Sequence, residues 1–150
     1  MIQALRNRKL KPFVEPTGFA TAPSGPFKVL ILTDHALPTG SWWDAATFEV
    51  LRYIPAKRPK EAAQNPLELY KNELNWFNLP KATQALGTFD IVVNLASPEN
   101  QPLDWYWYKV AAKLKVDFTG HQSLASISVP GDHPLEDKFK TLEHILNTLS

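Results

Sequence analysis

Ionisable and hydroxyl side chains follow three segments that have the composition of buried β-strands. They are Asp34 and His35 after the first segment, Ser97 after the second, and Asp132 and His133 after the third. Because the carboxyl ends of parallel strands meet at one edge of a sheet, ligands bind there. In an enzyme, His35 or His133 would act as a general base held by a neighbouring aspartate. The same residue types are also common in loops and as helix caps, so both interpretations stay open.

Familiar catalytic and cofactor motifs are missing. The loop of residues 33–41 contains one glycine and matches neither G-x-G-x-x-G nor the P-loop. There is no G-x-S-x-G nucleophile elbow. The four histidines form no i, i+4 pair, and the absence of cysteine excludes cysteine-bound zinc and disulfides. The sequence therefore predicts no metal and no cofactor, and it has no motif that identifies an enzyme.

Tryptophan and tyrosine occur in two clusters, Trp42-Trp43 and Trp105-Tyr106-Trp107-Tyr108. On a helix, Trp105 and Trp107 would lie about 200° apart, so one inward face cannot bury both. Either the helix is covered on two sides, or one ring is at the surface, where Trp42 or Trp107 would contact a partner. Stacking on single-stranded nucleic acid beside the lysines at 109, 113 and 115 is the weaker alternative, because such lysines usually form a solvated helix face. Direct nucleic-acid binding is not expected.

Predicted strands alternate with predicted helices after residue 26, which favours βαβ crossovers and a mainly parallel sheet. The predicted strands are 28–33, 89–95 and 124–129, with a fourth sought in 52–64 or 81–88. The predicted helices are 41–55, 65–78 (closed by Pro80), 102–115 and one that begins at 133. The expected fold is a three-layer α/β/α domain over residues 27–150, with three to five strands.

Residues 1–26 differ in composition from the rest and predict a flexible, basic, proline-rich tail. Basic and spaced apolar residues make it a candidate docking peptide; they are Leu5, Arg6, Arg8, Leu10 and Phe13. The alternative is an arm that packs on its own domain. No apolar run approaches the roughly 20 residues that span a bilayer, and no signal peptide is evident, so a cytoplasmic protein is expected.

Four stretches of the chain resemble the psi subunit of bacterial DNA polymerase III, an accessory protein of the clamp loader. They are the tail before the domain, the opening strand with its turn and predicted helix (27–34 and 48–54), the segment Leu74-Asn-Trp-Phe-Asn-Leu-Pro80, and Val129–Leu135 with its leucine-rich helix. The tail departs from the family, because psi tails carry a Leu-Gly-Ile-type segment followed by tryptophan. The terminal helix has His144-Ile145-Leu146 where psi commonly has a Leu-Trp pair.

The resemblance implies an interaction subunit without enzymatic activity. Its N-terminal peptide would link the clamp loader to the chi subunit, and so indirectly to single-strand-binding protein. The alternative function is a small α/β enzyme, a hydrolase or a nucleoside- or base-processing enzyme, that uses the polar residues at the strand ends.

Overall fold

The computed structural model describes residues 27–35, 46–60, 67–71, 73–74, 77–97, 100–120, 122, 125–129 and 135–149. Strands and helices alternate irregularly along these residues. In chain order they are β1 (Phe27–Thr33), β2 (Ala46–Ile54), β3 (Glu68–Tyr70), α1 (Leu79–Leu86), β4 (Phe89–Asn94), α2 (Gln101–Lys109), β5 (Ala112–Asp117), β6 (Ile127–Ser128) and α3 (Leu135–Leu149).

The six strands of the described chain form one sheet in the order β3-β2-β1-β4-β5-β6. Every neighbouring pair is parallel, which confirms the predicted α/β class with a mainly parallel sheet. The sheet has one strand more than the upper limit expected. Strand β1 lies between β2 and β4, and all its residues except Lys28 are buried, as the continuous apolar run predicts for a strand covered on both faces.

Helices cover both faces of the sheet. On one face, Leu30, Leu32 and Val92 pack with buried residues of α1 and α2. On the other face, Val29 and Ile31 belong to the cluster that contains Leu142 of α3. Each fully buried leucine or isoleucine contributes roughly 1.5–3 kcal/mol to stability, so the two clusters hold the layers together. These contacts give the three-layer α/β/α arrangement that was expected.

The predicted helix over 41–55 is wrong where the structure describes it, because residues 46–54 form β2. Its side chains alternate between the two faces: Phe48 and Val50 pack against the α3 side, and Leu51 and Tyr53 against the α2 side. A strand buried on both faces has apolar residues that also satisfy a helical period, which is why the segment was misassigned. Parallel pairing of residues 46–52 with all seven residues of β1 decides in favour of the strand.

The predicted helix over 65–78 is also wrong, because Glu68–Tyr70 forms the edge strand β3 beside β2. Pro80 does not close this segment; it lies in the first turn of α1, where its missing N–H leaves no bond unmade. Helix α1 ends at Gly87, whose φ is 80° and whose ψ is −148°. Only glycine adopts this backbone conformation without strain, so Gly87 sets the turn into β4.

The helix predicted through residue 115 ends at Lys109, and residues 112–117 form β5. Val110 already has an extended backbone, so the chain reverses within two residues. The lysines at 113 and 115 were read as a helix face, whereas they alternate with apolar residues along a strand. The extra strands are therefore β2, β3 and β5, and the fourth strand sought in 81–88 is replaced by α1.

The third predicted strand, over 124–129, is shorter in the structure: β6 is Ile127–Ser128 and lies at the edge of the sheet. The final predicted helix is confirmed as α3, with Leu142 buried and Ile145 packed against the same cluster. Among the described helices, none is long and apolar enough to cross a lipid bilayer.

Candidate functional site

The strand order places a topological switch point between β1 and β4. From β1 the chain continues to β2 on one side of the switch point, and from β4 it continues to β5 on the other side. The connections after β1 and β4 therefore lead in opposite directions. In open parallel sheets, the crevice between two such diverging loops is where ligands bind. Here Asp34 follows β1, and Ser97 and Asn100 follow β4. This crevice is the candidate site.

The Asp34 carboxylate joins the two loops of the switch point. Its Oδ2 accepts a hydrogen bond from the Ser97 backbone N–H at 3.0 Å and another from Asn100 Nδ2 at 3.3 Å. The Asn100 side chain in turn caps α2 by accepting from the Leu103 N–H at 3.3 Å. Asp34 therefore positions the first turn of α2 from the end of the neighbouring strand β1.

The second carboxylate oxygen of Asp34, Oδ1, differs from Oδ2 in its hydrogen bonding. Oδ1 is buried and has no hydrogen-bond partner among the described residues. His35 Nε2 lies 3.1 Å from Oδ1 without making that hydrogen bond, and the His35 side chain is 70% exposed. A buried acceptor left without a donor costs about 1–3 kcal/mol. The site therefore contains one acceptor that a further donor would satisfy.

A shallow depression of about 280 Å³ opens at this position. It is lined by Asp34, Tyr53, Ser97, Asn100 and Pro102. Tyr53 reaches it from the carboxyl end of β2, the residues at 34, 97 and 100 follow β1 and β4, and Pro102 lies in the first turn of α2. A carboxylate, an amide, a phenol and an aliphatic hydroxyl at one depression can hold a small polar molecule by hydrogen bonds.

A second polar cluster lies at the end of β5, around the buried Asp117. Its carboxylate accepts hydrogen bonds from Asn94 Nδ2 at 3.1 Å, Thr119 N at 3.0 Å, Gly120 N at 2.9 Å and Gln122 N at 3.2 Å. Burial by itself raises the pKa of Asp117, but the hydrogen bonds from Thr119, Asn94 and Gln122 outweigh it and hold the pKa below its ordinary value. The ionised Asp117 carboxylate thus holds residues 119, 120 and 122, which follow β5, in place by hydrogen bonds.

Helix α2 is covered on both sides, the first of the two alternatives that its aromatic residues left open. Trp105, Tyr106 and Trp107 are 6%, 4% and 0% exposed. The burial of Trp107 does not agree with the surface contact predicted for it. Trp107 packs in the hydrophobic cluster between α2 and the sheet. Trp105 and Tyr106 belong to the same cluster, so more than one face of this nine-residue helix is buried.

Lys115 lies beneath α2 and not on a solvated face, because its residue belongs to β5. The side chain is fully buried, and Nζ donates a hydrogen bond to the Trp107 carbonyl oxygen at 2.7 Å. Nζ also lies 5.8 Å from the centre of the Trp107 ring. Burial lowers the pKa of Lys115 to about 8. The predicted grouping of Lys115 with surface lysines is therefore wrong.

Arg58 organises a separate, basic depression at the ends of β2 and β3. Its guanidinium pairs with both carboxylate oxygens of Glu73, at 2.7 and 2.8 Å, and stacks over the Tyr70 ring at 4.4 Å. The hydrogen bond from Arg58 also holds the pKa of Glu73 below its ordinary value. These contacts fasten the edge strand β3, and the depression beside them is lined also by Lys57 and Lys71.

The structure brings together some of the site residues predicted from sequence. Asp34 and Ser97 line one depression, and His35 lies beside Asp34. Trp107 is described and buried, and the remaining predicted residues lie outside the described part of the chain: Asp132 and His133 of the strand-end group, and Leu5, Arg6, Arg8, Leu10, Phe13 and Trp42 of the partner-binding group. Among the described residues, no three histidine or acidic side chains are grouped so that they could hold a metal ion.

Sequence reasoning missed two residues of the depression. Tyr53 was missed because its segment was assigned to a helix, whereas a strand assignment would have placed it at the carboxyl end of β2. Asn100 was passed over as loop sequence, although an asparagine two residues before Pro102 is a signal for a helix N-cap.

Comparison with known proteins gives no match: no family model, no curated protein and no solved structure is similar to this chain.

Proposed function

We propose that this protein is an interaction subunit of the psi type, which links a bacterial clamp loader to the chi subunit and through chi to single-strand-binding protein. The proposal rests on the resemblance of the four stretches described above and on the order of a basic tail followed by an α/β domain. In this role the tail binds the clamp loader, with Leu5, Leu10 and Phe13 as apolar anchors and Arg6 and Arg8 as flanking cations.

The observation that carries the proposal is that the polar side chains at the strand ends hold loop residues in place. Asp117 is surrounded by donors from its own loop and from Asn94. Asp34 Oδ2 joins the loops after β1 and β4. Side chains at these positions, where an α/β enzyme would hold its reacting groups, thus fix loops to the sheet. Residues held in this way at the strand ends would provide a preformed surface for protein contacts.

The enzyme alternative has narrower support. Asp34 and Ser97 share a depression, but Ser97 contacts Asp34 through its backbone N–H, and His35 Nε2 lies 3.1 Å from Asp34 Oδ1 without a hydrogen bond to it. A nucleophilic serine needs its hydroxyl, and not its amide, directed to a base. The described contacts therefore favour a positioning role for Asp34 over the orientation of a catalytic histidine.

The proposal is tested by affinity purification of the tagged full chain from its native cell, followed by mass spectrometry. The wild type is expected to recover clamp-loader proteins and chi. A tail variant, Leu5→Ala with Leu10→Ala and Phe13→Ala, is expected to lose the clamp loader, because the apolar anchors supply most of the contact energy of a short peptide.

The matched control changes three polar residues of the same tail, Gln3→Ala, Asn7→Ala and Thr17→Ala, and keeps its length and charge. It is expected to recover the same proteins as the wild type. Recovery of no clamp-loader protein by the wild type, or equal recovery by both variants, would overturn the proposal.

A further inference from the structure

We propose that the depression at the switch point is a binding site for a small molecule that carries a protonated primary amine, with Asp34 as the residue that holds it. The inference is independent of the interaction function, since it rests on the buried Oδ1 of Asp34, which accepts no hydrogen bond from the described residues, and on the position of the depression in the sheet. The ammonium group would donate to Oδ1 while Oδ2 keeps its bonds to Ser97 and Asn100.

A cation fits this carboxylate better than a neutral donor does. The described donors to Asp34 are a backbone amide and a side-chain amide, which satisfy Oδ2 but bring no positive charge. A carboxylate withdrawn from water needs a counter-ion as well as hydrogen bonds. The His35 ring, whose Nε2 lies 3.1 Å from Oδ1, is 70% exposed, so little packing holds it against the carboxylate.

The surroundings of Asp34 suit the ammonium group and limit the size of the ligand. Besides Asp34, the depression is lined by Ser97 and Tyr53, two residue types whose hydroxyl groups accept hydrogen bonds, and by the apolar Pro102. Its volume of about 280 Å³ is just below the range of typical ligand pockets, roughly 300–1,000 Å³, so the ligand must be small. An amine on a short aliphatic chain matches both the acceptors and the wall.

The test uses isotopically labelled full chain and NMR titration, with the Ser97 backbone amide as reporter because it bonds directly to Asp34. Three probes of equal chain length are compared at constant ionic strength. They are 1,4-diaminobutane, the neutral 1,4-butanediol, and the quaternary bis(trimethylammonium) derivative of the diamine, which has the charge without N–H donors. The protein variants are Asp34→Asn and, as control, Asp90→Asn, which removes a carboxylate that accepts from the Lys28 N–H and pairs with Lys113.

The expected result is a saturable shift of the Ser97 and Asn100 amides with 1,4-diaminobutane, and at least roughly tenfold weaker binding of the other two probes. Asp34→Asn is expected to weaken diamine binding by a similar factor, and Asp90→Asn to leave it unchanged. Equal binding of the diol or of the methylated diamine, equal affinity of Asp34→Asn, or no saturable shift would each overturn the proposal. Should Asp34→Asn fail to fold, the comparison of the three probes on the wild type decides.

Discussion

The buried Lys115 makes the stability of the protein depend on pH in a predictable direction. Burial lowers the pKa of Lys115 from 10.5 to about 8 in the folded chain. Between these two values the unfolded chain holds a proton that the folded chain has lost, so raising the pH favours the folded state. At roughly 1.4 kcal/mol for each pH unit, the whole effect is about 3 kcal/mol. The destabilisation is fully present below pH 8 and is relieved as the pH approaches 10.5.

Lys115→Met removes this dependence while keeping a side chain of similar length. At pH 7 the variant loses the buried charge but leaves the Trp107 carbonyl oxygen without the Lys115 donor, and these effects of about 1–3 kcal/mol each oppose one another. The informative quantity is therefore the difference in free energy of unfolding between wild type and variant as a function of pH. We expect this difference to shift by about 2–3 kcal/mol in favour of the wild type between pH 7 and pH 10.

Urea denaturation at pH 7, 8, 9 and 10 measures that difference, and contributions of other titrating groups cancel because both proteins share them. Lys81→Met, which removes an exposed lysine of α1, is the control for loss of a lysine as such. A difference between wild type and Lys115→Met that stays constant within about 0.5 kcal/mol across this range would refute the argument from burial.

Three further substitutions test the packing and the loops. Asp117→Asn is expected to lower the free energy of unfolding by about 2–3 kcal/mol at pH 7, because an amide N–H₂ would replace one acceptor oxygen. The exposed Asp137→Asn is its control. The difference from the wild type should shrink as the pH falls through the lowered pKa of Asp117, since the wild type then loses the same charge. Gly87→Ala should cost about 1–3 kcal/mol although a Cβ meets no atom within 4 Å, because its backbone conformation strains any other residue; an unchanged urea midpoint would contradict this. Trp107→Ala should cost about 3–5 kcal/mol by denaturation, and a cost under 1 kcal/mol would show that the ring is not buried.

The elements that were predicted correctly are those whose sequence pattern fits only one type of secondary structure. Strands β1 and β4 are short apolar runs bounded by polar residues, and α3 has a long apolar stripe with a proline before it, so each was predicted close to its position. The class followed from their alternation with α2, whose opening was predicted from Pro102 at its start and Asp104 in its first turn.

The parts that failed were decided by tertiary pairing. Residues 46–54 fit a helical period and a strand period equally, and only the pairing with β1 selects the strand. At the site, the positions of Asp34 and Ser97 after their strands predicted that they would meet. Nothing in the sequence indicated that Oδ1 of Asp34 would lack a donor, because that depends on the directions of two loops separated by more than 60 residues.

The proposed function is tested most directly by reconstitution from purified components. The full chain is mixed with a purified bacterial clamp loader and purified chi and analysed by size-exclusion chromatography. The proposal predicts one complex that contains all three, and a tail variant with alanine at positions 5, 10 and 13 that retains chi but no longer elutes with the clamp loader. Elution of the wild-type chain apart from both partners would contradict it.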